Sequence, residues 1–421
     1  VDRDGKPYRE NQVCCLFPEV QEFCRKTGTA VAQAYGRYPA FDLALIHSEI
    51  VDEAHPCFHD HDRQAFAAWS GGLAIPDGVS ASWGGDFRRR FDFPPGGVVP
   101  DAFPLLKYYQ WYWKEGHGWN QVHTRVHQGL KSTGREDLRT WFDPAVRAPA
   151  LWGSGGGVDA ILEWSYTHPD PLRVAAQVDE LFAMADGAVV AGSKKKQQVF
   201  KMTQIIWYRS QSAPKIKAGA PGPSPRPSWE ETEGNAEFIT MAPDHLRESL
   251  WLTLARPVAG RGYHGGPSLV PVKEFKGSYR FTNPRTAPEL ARLMKSVVRP
   301  LGPTLLEVPD RASDVAYLES FASQVLAGKG SGWVDKYRYY VLQYAQVQPR
   351  VVYEETILRD GLDAFKLLVA HDCDVLPEAV VKKIKVFQAR GGLLVADASL
   401  CPALIADLVQ PVLVRTKKAE V

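Results

Sequence analysis

Side chains able to bind metal or move protons crowd positions 57–62, among them Cys57, His59, His61 and Asp62. Just upstream, Glu49 closes the largely apolar run "FDLALIHSE". Thiolate, imidazole and carboxylate groups are the donors that zinc takes. A lone carboxyl beside apolar and aromatic side chains is held toward its protonated form, which suits a general acid. Each feature also has a plainer explanation. A glutamate at a strand end can cap or pair within a loop, and a polar run after a strand can be a solvated turn.

A second set is aromatic and polar. Trp164, Tyr166, Trp207, Arg209 and His264 fall where strands are expected to end, and His47 lies two positions before Glu49. Side chains converging at such ends would line a sugar pocket, since pyranose rings present apolar C–H faces; each alone is equally compatible with rim packing. Twelve Trp and sixteen Tyr give mild support. Cys373, in "AHDCDVL", is flanked by two aspartates where a nucleophile elbow needs small residues, so it is read as structural.

These residues need a frame, and the hydropathy pattern supplies one. Helical spacing over "FPEVQEFCRKTGTAVAQAYGRY" is followed by the strand "FDLALIHSEI". A Gly/Pro-rich insertion precedes "LLKYYQWYWKEGHGWNQVHTRVHQGLKS", expected to be one helix. Strands follow in "EDLRTWFDPAV", "GGVDAILEWSYTHPDP" and "QQVFKMTQIIWYRSQSAP", with a helix in "PLRVAAQVDELFAMAD". "KIKAGAPGPSPRPSWEETEGN" is a loop, "APDHLRESLWLTLAR" a helix, and "GRGYHGG" a short strand. The alternation predicts an α/β fold, a (β/α) barrel over residues 1–285. Residues 286–421 read as a second, doubly wound α/β unit, with strands in "SDVAYLESFAS", "FKLLVAHDCDVL" and "LLVADASL".

With 421 residues, 45% of them hydrophobic, the chain has ample material for two cores. A formal charge of +2, with the cluster Lys194–Lys196 read as a solvated turn, argues against nucleic acid as a partner. No apolar run is long enough to span a membrane, so a soluble protein is expected, with the cytoplasm slightly favoured. Six irregularly spaced cysteines make no disulfide framework.

The order of elements resembles the family 42 glycoside hydrolases, the β-galactosidase type in which a barrel precedes a glutamine-amidotransferase-like trimerisation domain. "AYGRYPAFDLALIHSE" resembles the helix, Tyr-Gly-x-x-Pro turn and strand that carry the family's acid/base, which implies that role for Glu49. "CFHDHDRQAFAAW" resembles the outline of the family's cysteine turn, and "FKLLVAHDCDVLPEAVVKKIKVFQARGGLLVAD" its second domain. The resemblance implies a β-linked sugar as substrate, no required cofactor, and a homo-oligomer, a trimer, formed through the elements around "FKLLVAHDCDVL". It also implies a structural zinc, for which the matching positions are Cys14, Cys57, His59 and Asp62, with His61 in reserve.

Two departures stand out. Ser48, where the family has Asn, precedes Glu49. The strand matching the one that bears the family's nucleophile, "VFKMTQIIWYRSQSAP", has no carboxylate. The nearest carboxylates are Glu163, Glu230 and Glu231, whereas a glycosidase needs a second carboxyl about 5–9.5 Å from the first. A non-catalytic carbohydrate-binding or assembly protein on the same fold is therefore the rival reading. Five barrel strands are counted, near Asp42, Leu138, Val158, Val199 and Gly260, matching the family's fourth to eighth. A closed barrel needs eight, so the expectation is an incomplete barrel from a longer polypeptide, inactive as residues 1–421 alone.

Overall fold

The computed structural model describes residues 1–8, 13–47, 56–79, 95–115, 117–143, 156–164, 170–190, 196–208, 238–271, 279–327 and 337–409. Two compact units divide the chain. The first comprises Val1–Ile161, Phe182–Gln197 and Ala312–Val421, the second Leu162–Leu181 and Gln198–Arg311.

The barrel strands are β1 (Leu43–His47), β3 (Arg139–Phe142), β4 (Ala160–Glu163), β5 (Gln198–Gln204) and β8 (Gly260–His264), in the sheet order β1-β3-β4-β5-β8. Parallel pairing joins β1 to β3, β3 to β4 and β5 to β8. This is the strand order of part of a (β/α)8 barrel, and among the described residues it has the five strands expected, each beginning within two residues of its expected position.

In the first unit, β1 is backed by two helices, Pro18–Tyr35 and Gln121–Lys131. Pro18 sits at the first helical position, where its missing N–H costs nothing. The two helices meet at Gly28 and Gly129. A β-carbon on Gly28 would strike the Val126 carbonyl oxygen, and one on Gly129 that of Arg25. Ala32, Ala44, Leu130 and Leu138 form the core beneath, with Ile46 packed on it. The alternate side chains of β1, Leu43 and Leu45, are each 44% exposed.

The expected single helix from Leu105 is broken. An α-turn over Pro104–Tyr109 passes into a π-turn over Gln110–Lys114, and the helix restarts at Gln121. Gly118 packs where any β-carbon would meet the backbone of Tyr112, folding the aromatic segment onto itself. Tyr108, Tyr109, Trp111, Tyr112, Trp113 and Trp119 are consequently all buried.

The same unit holds a second parallel sheet, β10-β9-β11-β13-β14, from β9 (Val315–Glu319), β10 (Arg350–Tyr353), β11 (Leu367–Ala370), β13 (Leu393–Ala396) and β14 (Leu408–Val409). In chain order this is 2-1-3-4-5, the doubly wound arrangement of flavodoxin-like folds. The "LLVA" of β11 suits a strand covered on both faces, while the same run in β13 leaves Leu393 exposed. Part of the Gly/Pro-rich insertion forms a separate two-stranded sheet in this unit: β2 (Val98–Val99) pairs in parallel with β12 (Leu376–Pro377), and Gly96 O accepts the Cys401 thiol.

In the second unit, the long expected strand after β5 ends at Gln204. β6 (Ile206–Tyr208) turns away to pair antiparallel with β7 (Phe238–Thr240). Ile205, Trp207, Ile239, Met241, Leu246 and Leu250 form its core against the helix Pro243–Leu254. No helix among the described residues is long and apolar enough to cross a membrane.

Candidate functional site

The metal-type cluster lies in the first unit, at the start of the helix Asp60–Ser70. Asp62, 2% exposed, accepts the backbone N–H of His59, so its carboxylate caps the helix whether or not an ion is present. That position directs the same carboxylate at three further donors. His59 Nδ1 is 2.9 Å from Asp62 Oδ2, His61 Nε2 is 3.4 Å from it, and Cys14 Sγ is 3.2 Å from Oδ1. Cys14 Sγ is also 3.4 Å from His61 Nε2. The two imidazoles stack at 5.0 Å, and the Phe17 ring edges both.

Cys57 adjoins Cys14 as a fifth group. The hydrogen bond between the two thiols, followed by burial, pushes Cys14 up. The same bond holds Cys57 below the usual thiol range against the opposing effect of burial. The Val1 ammonium lies 3.8 Å from Cys57 Sγ. One ligand atom each from Cys14, His59, His61 and Asp62 can be chosen so that all lie within 4.8 Å of one another. Tetrahedral zinc, with bonds of about 2.0–2.3 Å, separates its ligand atoms by about 3.3–3.8 Å. The donor types suit that ion, and the separations of Cys14 Sγ, His61 Nε2 and the Asp62 carboxylate, 3.2–3.4 Å, lie close to that range.

The second unit holds the aromatic set. Trp164 follows β4 and His264 ends β8, their rings 4.5 Å apart and 30° from parallel. His264 Nε2 is 2.9 Å from the Tyr279 hydroxyl, and Gln177 Nε2 donates to Trp164 O. Gly265 follows at φ +99°, where a β-carbon would strike Ile206, so the chain leaves His264 by a turn that only glycine fits. Trp207 lies elsewhere, in the core of the β6–β7 ribbon, its ring 4.4 Å from that of His245. His47 is the last residue of β1. Ser48, Glu49, Tyr166, Arg209, Glu230, Glu231, Lys194, Lys195 and the loop 215–235 lie outside the described residues.

Several buried polar groups escaped sequence reasoning. Asp143, fully buried, follows the last residue of β3. The context "WFDPA", an aspartate after an apolar strand and before proline, was its only signal. Lys201 is fully buried on β5 and donates to the carbonyls of Glu163 and Met202. Glu163, the described alternative for a second carboxylate, has no solvent exposure. β5 ends in Thr203 and Gln204, both buried. Cys373 is buried too; burial, then the carboxyls of Glu354 and Asp397, push its thiol well up, and it donates to His371 O. Such a thiol is inert.

Fold and strand ends together define a (β/α)-barrel protein with a doubly wound α/β sheet in the same chain. No protein-family model matches it, and no curated protein does. Solved structures do. The β-galactosidase of the psychrophilic Marinomonas ef1 aligns over 91% of this chain and 59% of its own, at 15% identity and a TM-score of 0.53. That of Rahnella sp. R3 aligns over 91% and 55%, at 14% and 0.55. That of Bacillus circulans sp. alkalophilus aligns over 93% and 57%, at 12% and 0.56. The expected resemblance to the family 42 glycoside hydrolases is thus borne out in the fold. The chain spans somewhat more than half the length of these relatives.

Proposed function

We propose that the protein is a glycoside hydrolase acting on a β-linked sugar, with Glu49 as general acid/base. The supporting observation is the direction of β1: it runs parallel to β3 and ends at His47, so Glu49 follows its C-terminal end, where barrel enzymes keep catalytic groups. His47, Tyr166 and Arg209 belong to the same proposal as sugar-binding groups by their sequence positions. Trp164, buried with its ring against that of His264, and His264, beside the Tyr279 hydroxyl, belong to the same proposal as aromatic groups at the strand ends. Trp207, buried in its ribbon, lies apart from that pair. Cys14, His59, His61 and Asp62, with Cys57 beside them, would hold a structural zinc that ties the opening segment to the helix after β1. The domain assignment, residues 1–285 and 286–421, remains part of this reading.

One observation favours a second reading, a carbohydrate-binding protein without chemistry. β5 ends in Thr203 and Gln204, and Glu163 is sealed from solvent, so no described carboxylate stands ready as nucleophile or base. A panel of nitrophenyl β-glycosides, tested for turnover and by calorimetry for binding, separates the two. Release of nitrophenol supports the hydrolase, while binding without release supports the rival. Neither binding nor release contradicts both.

A further inference from the structure

The doubly wound sheet carries a second cluster of ligating side chains that neither the barrel chemistry nor the cysteine turn uses. His371 and Asp372 follow the C-terminal end of β11, and Asp397 follows that of β13, the neighbouring strand. Ligands of open α/β sheets bind outside the carboxyl ends of the strands, near the point where the strand order reverses. Here that point lies between β9 and β11.

His371 Nε2 is 3.1 Å from Asp397 Oδ2, and His371 Nδ1 is 3.3 Å from Asp372 Oδ2. One ligand atom from each of the three residues can be chosen so that all lie within 4.8 Å of one another. The carboxylate of Asp397 is oriented from behind: its Oδ1 accepts the Ser399 N–H, which turns Oδ2 toward the imidazole. Such outer contacts fix the direction of a ligand before an ion arrives. The side chains of His371, Asp372 and Asp397 are 11, 23 and 8% exposed, enclosed yet reachable.

A neutral imidazole carries one N–H, so it can donate to only one of the two carboxylates it faces. The remaining nitrogen then presents its lone pair to an anionic oxygen. Positive charge resolves that conflict, either as a second proton on the ring or as a cation taking the nitrogen lone pair and carboxylate oxygens together. We propose that His371, Asp372 and Asp397 form a site for a divalent cation of the harder kind, distinct from the cysteine-containing cluster. The donor set of two carboxylates and one imidazole, without sulfur, suits Mn²⁺ better than a thiophilic ion. Bound there, the ion joins the loops after β11 and β13 and steadies the C-terminal edge of the sheet.

Mn²⁺ is its own probe, because the free ion gives a strong paramagnetic signal that binding broadens. Titration of the whole protein with Mn²⁺, cleared of other metals, should show one site per chain. Asp397→Asn and His371→Gln, each checked for folding by circular dichroism, should weaken it at least tenfold. Cys14→Ser should leave it unchanged, which separates the two clusters. The proposal is overturned if Mn²⁺ does not bind, as expected were His371 simply an imidazolium between two aspartates. It is equally overturned if binding survives in Asp397→Asn and His371→Gln, or is lost in Cys14→Ser alone.

Discussion

Glu354 begins the helix after β10, buried, its carboxyl accepting from Ser320 Oγ and the Ala322 N–H. Burial raises it to about 7, against the opposing effects of the Ser320 hydroxyl and the Lys114 ammonium. The folded state therefore holds this proton more tightly than the unfolded chain does. Its contribution to stability is fully present below pH 4.5 and is lost as pH rises through about 7, a change on the order of 3 kcal/mol. Glu354→Gln imitates the protonated form. Its melting temperature relative to the parent should rise from pH 5 to pH 8, and an unchanged difference across that range would refute the assignment. Cys14 bears on the other cluster. Purified protein never exposed to chelator should contain about one zinc per chain by elemental analysis, and Cys14→Ser well under half of that. A zinc content below a tenth of an equivalent in the parent would leave Asp62 as a helix cap and no more.

The helix pair behind β1 offers a test of packing, because Gly28 and Gly129 meet backbone to backbone. Gly129→Ala should cost about 1–3 kcal/mol by overpacking, read from the urea midpoint. Gly302→Ala, in a helix where the added carbon would meet only a Val298 methyl at 4.0 Å, should be neutral or stabilising. Equal effects in the two variants would show that the close approach does not govern stability. Sequence pattern located the strands well: "FDLALIH", "LRTWF" and "LLVADA" are bounded apolar runs with turn residues at their ends. It failed where tertiary contact decides. Nothing local in "KEGHGWN" says that Gly118 must press on Tyr112 and break the helix. Nothing in "MTQIIWY" distinguishes a strand that stays in its sheet from one that leaves at Ile205 to form a ribbon. The site was legible in the same measure. Trp164 and His264 were found from their places at strand ends, and the cysteine turn from its ligand types. Lys201, on a strand, and Asp143, just past one, were missed because a single buried charged group leaves no periodic signal.

Among the described residues of the first unit, the exposed apolar side chains include two groups beside edge strands. Leu43 and Leu45 stand on one face of the edge strand β1. Leu393, Ile405, Leu408 and Val409 stand near the edge strand β14. β11, around which self-association was expected, is central in its sheet, whereas β14 is one of the two edges among the described strands. Light scattering at micromolar concentration should give more than the monomer mass, and Leu408→Lys with Val409→Lys should reduce it. A monomer in the parent would contradict this. The central claim, that a barrel strand end presents Glu49 to a β-linked sugar, is tested most directly by one rate. Turnover of the best nitrophenyl β-glycoside is compared between the parent and Glu49→Gln, in the protein as its own cell makes it. Loss of the proton donor with the shape retained should lower kcat by about 10²–10⁴-fold, while an unchanged kcat would contradict the account.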